Sequence, residues 1–299
     1  MSIVIDFHVH LYTAEDLPSN AEQLPYTLPA PHPVQPYLDR MIDAGLKPGL
    51  VNNVHLSILS DSENVYRSFV ELERLQLEQP ERYGDIVMVG TILASPDYAT
   101  SERLTHPQIK GIRLVLHDAK PETISADSYS GPQWQALYAR LRDDQHIHIY
   151  AQEPEANLRV LKQMPTDIPV IIDHLGTCRA ERGVEDPFYQ QLLSEARQRG
   201  NVWFKGPGYR TANTPEETLA FTLEIVTKVG GERLILQSTD APHVGTDAKG
   251  QPYAELFSPE TALQFTQKLA EMTASEVCFD AQALLNGACA AIINPNKKS

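Results

Sequence analysis

Eight short apolar runs rich in β-branched residues punctuate the chain, at residues 3–9, 49–59, 86–93, 109–116, 146–151, 170–175, 202–205 and 234–238. Each reads as a buried strand. The second is the least regular, because Asn52 and Asn53 interrupt it. Helical periodicity lies between the runs. Trp134, Leu137, Tyr138 and Leu141 share one helical face, and so do Tyr189, Leu192, Leu193 and Ala196. Asp186 and Pro187 give the latter a cap and a first-turn proline, and Gly200 ends it. Thr214-Pro215-Glu216-Glu217 has the form of a capping box, and Leu219, Leu223 and Val226 carry its stripe towards Gly230. Ser258-Pro259 opens another helix. Thr273 to Glu276 reads as the cap of a last one, with Val277, Ala281, Leu284 and Leu285 facing inward.

Strands alternating with helices form parallel βαβ units. Eight of them within 299 residues predict an α/β fold, a closed (β/α)8 TIM barrel with C-terminal helices, as one domain over residues 1–299. No GxGxxG follows the first run and no GxxxxGK[ST] occurs, so dinucleotide and P-loop folds are unsupported. The proline-rich stretch 18–36 follows the first strand. It reads either as a lid or pocket wall at the catalytic face or as a plain surface loop. Residues 294–299 read as a frayed tail.

Charge narrows the partners. The chain carries 25 Lys+Arg against 39 Asp+Glu, a formal net charge of −14. That argues against general nucleic-acid or anionic-membrane binding, both of which want basic surface. A small anionic substrate stays open, because one local Arg or Lys can hold it. Three cysteines without a CxxC pair exclude a disulfide scaffold and a finger-type zinc site. The first residues lack a basic region, and no run reaches the roughly 18 apolar residues of a span. The expected setting is cytoplasmic. A homo-oligomer is left open.

In such a barrel chemistry gathers at the C-terminal strand ends. His8 and His10 lie two apart at the end of run one, hence on one face, where neutral imidazoles can chelate a divalent metal. An HxH pair is also common in ordinary strands. Asp173-His174 follows the apolar Val170-Ile171-Ile172 at the end of run six. Burying both costs several kcal/mol unless each is paired. Asp240, after run eight, suits a general base or metal ligand, or else a loop cap. Arg113 and His117 share a face of run four. An arginine there implies a bound carboxylate, from substrate or from an internal Asp or Glu. Run five places His148, Tyr150 and Gln152 on one face, with His146 and His148 alternatively turned towards the helices. Run seven offers Lys205. Singly these are weak; together, His8, His10, His174 and Asp240 collect at one end of the strands, where chance would scatter them over both.

The segments IDFHVHL, KGIRLVLH, VIIDHLG, VWFKGPGYR and STDAPH, in this order and spacing, resemble the amidohydrolase superfamily. The likeness is to the "amidohydrolase 2" branch that holds 2-pyrone-4,6-dicarboxylate lactonase and sugar-acid lactonases, and it covers nearly the whole chain. It implies a distorted (β/α)8 barrel that hydrolyses a lactone, or a related ester or amide, of a small carboxylated substrate. By this resemblance His8, His10, His174 and Asp240 are the catalytic set. They are also the ligands of one divalent metal, zinc or manganese, where one is bound; some lactonases of the branch work without metal. Arg113 corresponds to an arginine that helps hold a substrate carboxylate, with Tyr150, Lys205 and His117 as further substrate contacts. Run five ends in Tyr150-Ala151-Gln152 with no histidine at its tip, which counts against two metals.

The expected mechanism has Asp240, its pKa raised by low dielectric, deprotonating water while the histidines polarise the scissile carbonyl directly or through a metal. The alternatives are a metal-dependent decarboxylase of an aromatic or unsaturated acid, a lactone isomerase, and a non-catalytic barrel that binds a metabolite. Cys178 is expected near the site as a small buried residue.

Overall fold

The structure, a computed structural model, describes residues 2–18, 30–116, 119–242 and 258–287. Eight parallel strands follow one another around a single sheet in chain order. They are β1 (Ser2–Val9), β2 (Leu46–Val54), β3 (Val87–Leu93), β4 (Ile109–Leu116), β5 (His146–Ala151), β6 (Val170–Ile172), β7 (Val202–Lys205) and β8 (Leu234–Ile235). Around them lie α1 (Val34–Asp43), α2 (Glu63–Glu78), α3 (Pro80–Tyr83), α4 (Ser101–Leu104), α5 (Pro132–Tyr138), α6 (Pro154–Leu161), α7 (Pro187–Arg199), α8 (Pro215–Lys228) and α9 (Pro259–Val277). This is the expected (β/α)8 barrel, distorted because β6 and β8 are short.

The helix signals act as expected in α7, α8 and α9. Asp186 accepts from the amides of Phe188 and Tyr189, Thr214 from Glu217 and Ser258 from Thr261, and Gly200 ends α7 at φ 68°. Thr273 does not start a helix. It lies inside α9, where its hydroxyl donates to the Leu269 carbonyl one turn back and meets Thr222 on α8. A threonine that bonds to the preceding turn leaves the helix continuous, and α9 runs on to Val277. The second strand begins and ends earlier than its apolar pattern suggested. Asn52 and Asn53 belong to it, Asn52 reaching the Phe7 carbonyl and Thr91, Asn53 reaching Ser68 on α2. The proline-rich stretch is partly helical, since residues 34–36 form the first turn of α1; residues 19–29 of it lie outside the described residues.

The alternate faces of the strands divide the core. Outward residues such as Val51, Ile112, Ile149 and Phe204 pack with the helices in one large cluster. Inward residues stack in layers. Phe7, Val89, Ile171 and Ile235 plug the N-terminal end. Above them comes a polar layer of Asn52, Thr91 and His146. The imidazole of His146 fits because Gly111 faces it: a Cβ at that position would stand 2.6 Å from its Nε2. Above that layer the interior becomes ionic.

Closure between β8 and β1 is made by few backbone bonds. The amide of Phe7 donates to Gln237 at 3.1 Å, Asp240 to His8 at 2.7 Å and His10 to Ala241 at 2.8 Å. The buried Asp6 carboxylate completes the seam. It accepts from the Thr239 amide and hydroxyl at 2.9 and 2.6 Å and from Tyr37 at 2.7 Å. Burial pushes its carboxyl pKa up, and these donors hold it back.

Filling the space opposite His146 by Gly111→Ala forces that ring to move in a packed interior. The expected cost is about 1–3 kcal/mol of stability, read as a lower urea midpoint; an unchanged midpoint would show that the interior has room to spare.

Candidate active site

Backbone irregularity aims the site. Between Asp6 and Val9 the β1–β2 register slips, with Asp6 facing Val51 and Val9 facing Asn53. The bulge lets both Phe7 and His8 enter the barrel, so that His8 and His10 stand at its C-terminal end. At β6 the strand stops at Ile172 and the chain turns sharply. His174, Leu175 and Thr177 all have φ between 48° and 57°, and Asp240 after β8 has φ 55°. Two of the four residues expected to be catalytic thus sit in a left-handed conformation that non-glycine residues avoid.

The four converge. His8 Nε2 lies 3.1 Å from His10 Nε2 and 3.4 Å from Asp240 Oδ1. His174 Nε2 lies 3.6 Å from Asp240 Oδ2. The Nδ1 of His10 contacts the Val54 carbonyl at 2.8 Å. All four are almost fully buried.

A second carboxylate lies just beneath. Asp173 takes His148 Nε2 at 2.7 Å and Lys205 Nζ at 3.1 Å on Oδ1, Arg113 Nη2 at 2.9 Å on Oδ2, and faces His8 Nδ1 at 3.5 Å. This answers what Arg113 holds in the protein: the internal Asp173, with its other arm on the His55 carbonyl at 2.8 Å. Lys205, fully buried, lies between the two carboxylates, 3.7 Å from Asp240 Oδ1. His146 and His148 point into the barrel and not towards the helices, because β5 pairs in register with β4 and puts both beside Gly111 and Arg113. The histidine sought at the tip of β5 is thus present one pleat lower, bonded to Asp173.

Three further groups shape the mouth. The Tyr150 ring meets His174 edge-on at 5.4 Å, and the Arg113 and Arg210 guanidiniums lie 5.9 and 5.6 Å from its centre. Tyr209 donates to Asp240 Oδ2. Arg210 Nη2 stands 3.9 Å from the same oxygen, and its side chain is 25% exposed, the most open cation of the group. The segment VWFKGPGYR contained Tyr209 and Arg210, but they lie on a loop after β7, where no strand parity indicates direction. His117 lies outside the described residues. Cys178 is buried, as expected, and burial pushes its thiol up to about 12.

The electrostatics are uneven. Burial, with Lys205 and Arg113 nearby, keeps His8 well below its ordinary pKa, so the ring is neutral. Burial does the same to His174, with Arg210 and Lys205 adding to it. Burial alone would raise both aspartates. At Asp173 it is outweighed by His148, Lys205, Arg113 and His8, and at Asp240 by His174, Lys205, His8 and Arg210. Both carboxyls therefore lie well below the usual range. Asp240 is not the raised-pKa base that a low dielectric alone would produce, because fixed cations sit beside it. Burial, then Asp240, pushes the Tyr209 phenol far up, so it remains a donor.

The groups His8, His10, Asp240 and His8, His148, Asp173 each bring three candidate ligand atoms within 4.8 Å. No helix among the described residues is long and apolar enough to cross a membrane.

The barrel is similar to several solved structures. One is a putative 2-pyrone-4,6-dicarboxylic acid hydrolase from Pseudomonas putida, 25% identical, covering 98% of each chain at a TM-score of 0.68. Another is a probable 2-pyrone-4,6-dicarboxylic acid hydrolase from Acinetobacter baumannii with citric acid bound, 22% identical, covering 97% of this chain and 98% of that one at 0.69. A third is an amidohydrolase 2 from Bifidobacterium longum subsp. infantis, 17% identical, covering 98% and 99% at 0.58. No curated protein matches the chain. The amidohydrolase family profile matches residues 5–277, which contain every residue of the site described above, and the chain therefore belongs to the amidohydrolase family, as a hydrolase on its (β/α)8 barrel.

Proposed function

We propose that this hydrolase opens the ring of a small lactone that carries a carboxylate, using Asp240 to take the proton from the attacking water. One observation carries the reading. Asp240 Oδ1 is buried and has no hydrogen-bond partner, while its other oxygen is held by Tyr209. An ionised oxygen with an open lone pair, ringed by neutral imidazoles, suits a proton acceptor. A carboxylate of low pKa can do this work, because the water grows more acidic as its oxygen bonds to the carbonyl carbon.

The substrate carboxylate lies against Arg210, whose buried Nε has no partner. Arg113 and Lys205 are already committed to Asp173, so they set the field of the site from below. The scissile carbonyl points towards the imidazole of His174, whose N–H group stabilises the charge that grows on its oxygen, while the His10 N–H is spent on the Val54 carbonyl. Water adds, its proton passing to Asp240. The tetrahedral adduct collapses, the ring C–O bond breaks, and Asp240 returns the proton to the leaving oxygen. The products are one acid and one hydroxyl. The name of the Pseudomonas putida structure, with a lactone ring and carboxylates in its substrate, supports this class.

The donor set also fits one divalent ion. His8, His10 and Asp240 offer two imidazole nitrogens and a carboxylate oxygen, and the Nδ1 of His10 rests on a backbone carbonyl, as ligating histidines usually do. Such an ion, zinc or manganese, would polarise the carbonyl. The reaction described does not require it, because Arg113 on Asp173, Lys205 between the two carboxylates and Arg210 near Asp240 already offset their charge.

Three outcomes follow. Asp240→Asn lowers kcat at least ~10²-fold with KM little changed; full activity would remove Asp240 from the chemistry. Arg210→Gln raises KM roughly tenfold for a carboxylated lactone and leaves a neutral lactone unaffected; equal loss on both would place the carboxylate elsewhere. Finally, elemental analysis and a lactone panel before and after chelation decide the role of metal. Undiminished hydrolysis supports imidazole polarisation, while about one equivalent of zinc or manganese and loss of activity on chelation makes His8, His10 and Asp240 ligands.

A further inference from the structure

The open lone pair on Asp240 needs an explanation of its own. Two nitrogens stand close enough to seize it, His8 Nε2 at 3.4 Å and Lys205 Nζ at 3.7 Å. An ammonium bonded to that oxygen would occupy the lone pair that water needs and would have to be displaced in every turnover. Lys205 is fully buried, and among the described residues these two carboxylates are its ion-pair partners. Left with Asp240 alone, Coulomb attraction in this dry interior would pull it across the remaining gap.

Asp173 is what stands on the other side. Its Oδ1 is 3.1 Å from Lys205 Nζ, against 3.7 Å for Asp240. It also lies 3.5 Å from the far nitrogen of the His8 ring, which makes no hydrogen bond. His148 is fixed from the same oxygen: its Nε2 lies 2.7 Å away, and its Nδ1 is buried without a partner. The neutral His148 ring therefore carries its proton on Nε2. Asp173 is itself tied down. Arg113 holds its Oδ2, its amide donates to the Ile149 carbonyl at 3.0 Å, and its carbonyl accepts from Gly176.

We propose that Asp173 is a positioning residue, a competing carboxylate that draws Lys205 away and fixes the His148 ring so that Asp240 Oδ1 stays open to the attacking water. This rests on the reading of Asp240 as the proton acceptor. Asp173 touches no reacting atom; it acts through Lys205 and the His148 ring. The pairing also explains why an ammonium is tolerated beside the proton acceptor. Lys205 keeps the buried pair of carboxylates from repelling each other, while Asp173 carries most of its contact.

The test is a cycle of Asp173→Ala, Lys205→Met and the double variant, with melting temperatures to confirm folding. In Asp173→Ala, Lys205 moves onto Asp240. The expected result is a fall in kcat of about 10²-fold with KM within about threefold. Removing the lysine as well frees Asp240 again, so the double variant is expected to regain about tenfold in kcat over Asp173→Ala. A merely structural Asp173 would show no such recovery, and a double variant no faster than Asp173→Ala overturns the proposal.

An independent readout is the tautomer of His148 from nitrogen NMR of histidine-labelled protein. It is expected as the Nε2–H form in the parent and as a mixture without Asp173. Retention of the Nε2–H form would also overturn the proposal. If Asp173→Ala alone does not fold, the spectrum is read in the double variant, which has lost one charge of each sign. Should the parent protein open no lactone, the lactonase reading fails by itself, and the His148 spectrum still decides whether Asp173 positions that ring.

Discussion

Two ionised carboxylates buried at the centre of the barrel are the constraint that the rest of the site satisfies. Moving one such group out of water costs several kcal/mol even after relaxation, unless cations and donors replace the lost hydration. Asp173 and Asp240 are neutralised by Lys205, Arg113 and Arg210 and further bonded by His148 and Tyr209. The imidazoles are left neutral, since burial, and after it the same cations, disfavour their protonation. The result is a pocket of fixed charges with uncharged donors between them. Such an arrangement can stabilise a developing oxyanion without reorganising. It also reconciles the anionic substrate proposed here with an acidic protein, at net −14. The charge that matters is the local one, and Arg210 is the part of it that reaches solvent.

Much of this was legible in the residues, for identifiable reasons. The strand pattern survived because each run is apolar on its outer face and flanked by turn or cap residues. Strand spacing placed His8 and His10 together, and the unusual Asp173-His174 pair after an apolar run signalled that something must pay for its burial. The carboxylate implied by Arg113 was real and internal. What the pattern did not carry was direction. The bulge between Asp6 and Val9 is invisible to period-two counting, as is the choice of inward face for His146 and His148. That choice is set by register with β4 and by the space above Gly111. Tyr209 and Arg210 are placed by a loop. Thr273 read as a cap because threonine caps and back-bonding threonines look alike along a sequence. The pKa of Asp240 was misjudged for a similar reason: burial was foreseeable, but the distances to Lys205 and Arg210 were not.

The site also lies where the sheet is weakest. β6 has three residues and β8 two, and both stop just before the turns that carry Asp173, His174 and Asp240. Their left-handed residues cost of order 1–3 kcal/mol each, so neighbouring contacts must over-determine them. Two buried side chains do so. Asn157 on α6 accepts from the Ala151 amide and donates to the Gly176 carbonyl and Thr177 hydroxyl, tying the turn after β6 to the end of β5. Asp6 holds the amide and hydroxyl of Thr239, fixing the turn after β8 to β1.

Neither Asn157 nor Asp6 faces the site, yet each locks the backbone of a residue that does. Asp6 has a second effect. The bulge that turns His8 inward begins at Asp6, and the His8 amide donates to the Asp6 carboxylate at 3.2 Å. One side chain therefore closes the barrel, shapes the bulge and anchors the loop that presents Asp240. Asp240 and the His8 imidazole beside it are held in register by a group on the opposite face of the strand. Precision of catalytic geometry in this barrel thus depends on the seam between β1 and β8. That seam is secured less by strand pairing than by one buried carboxylate, whose desolvation is offset by Tyr37, Thr239 and the His8 amide.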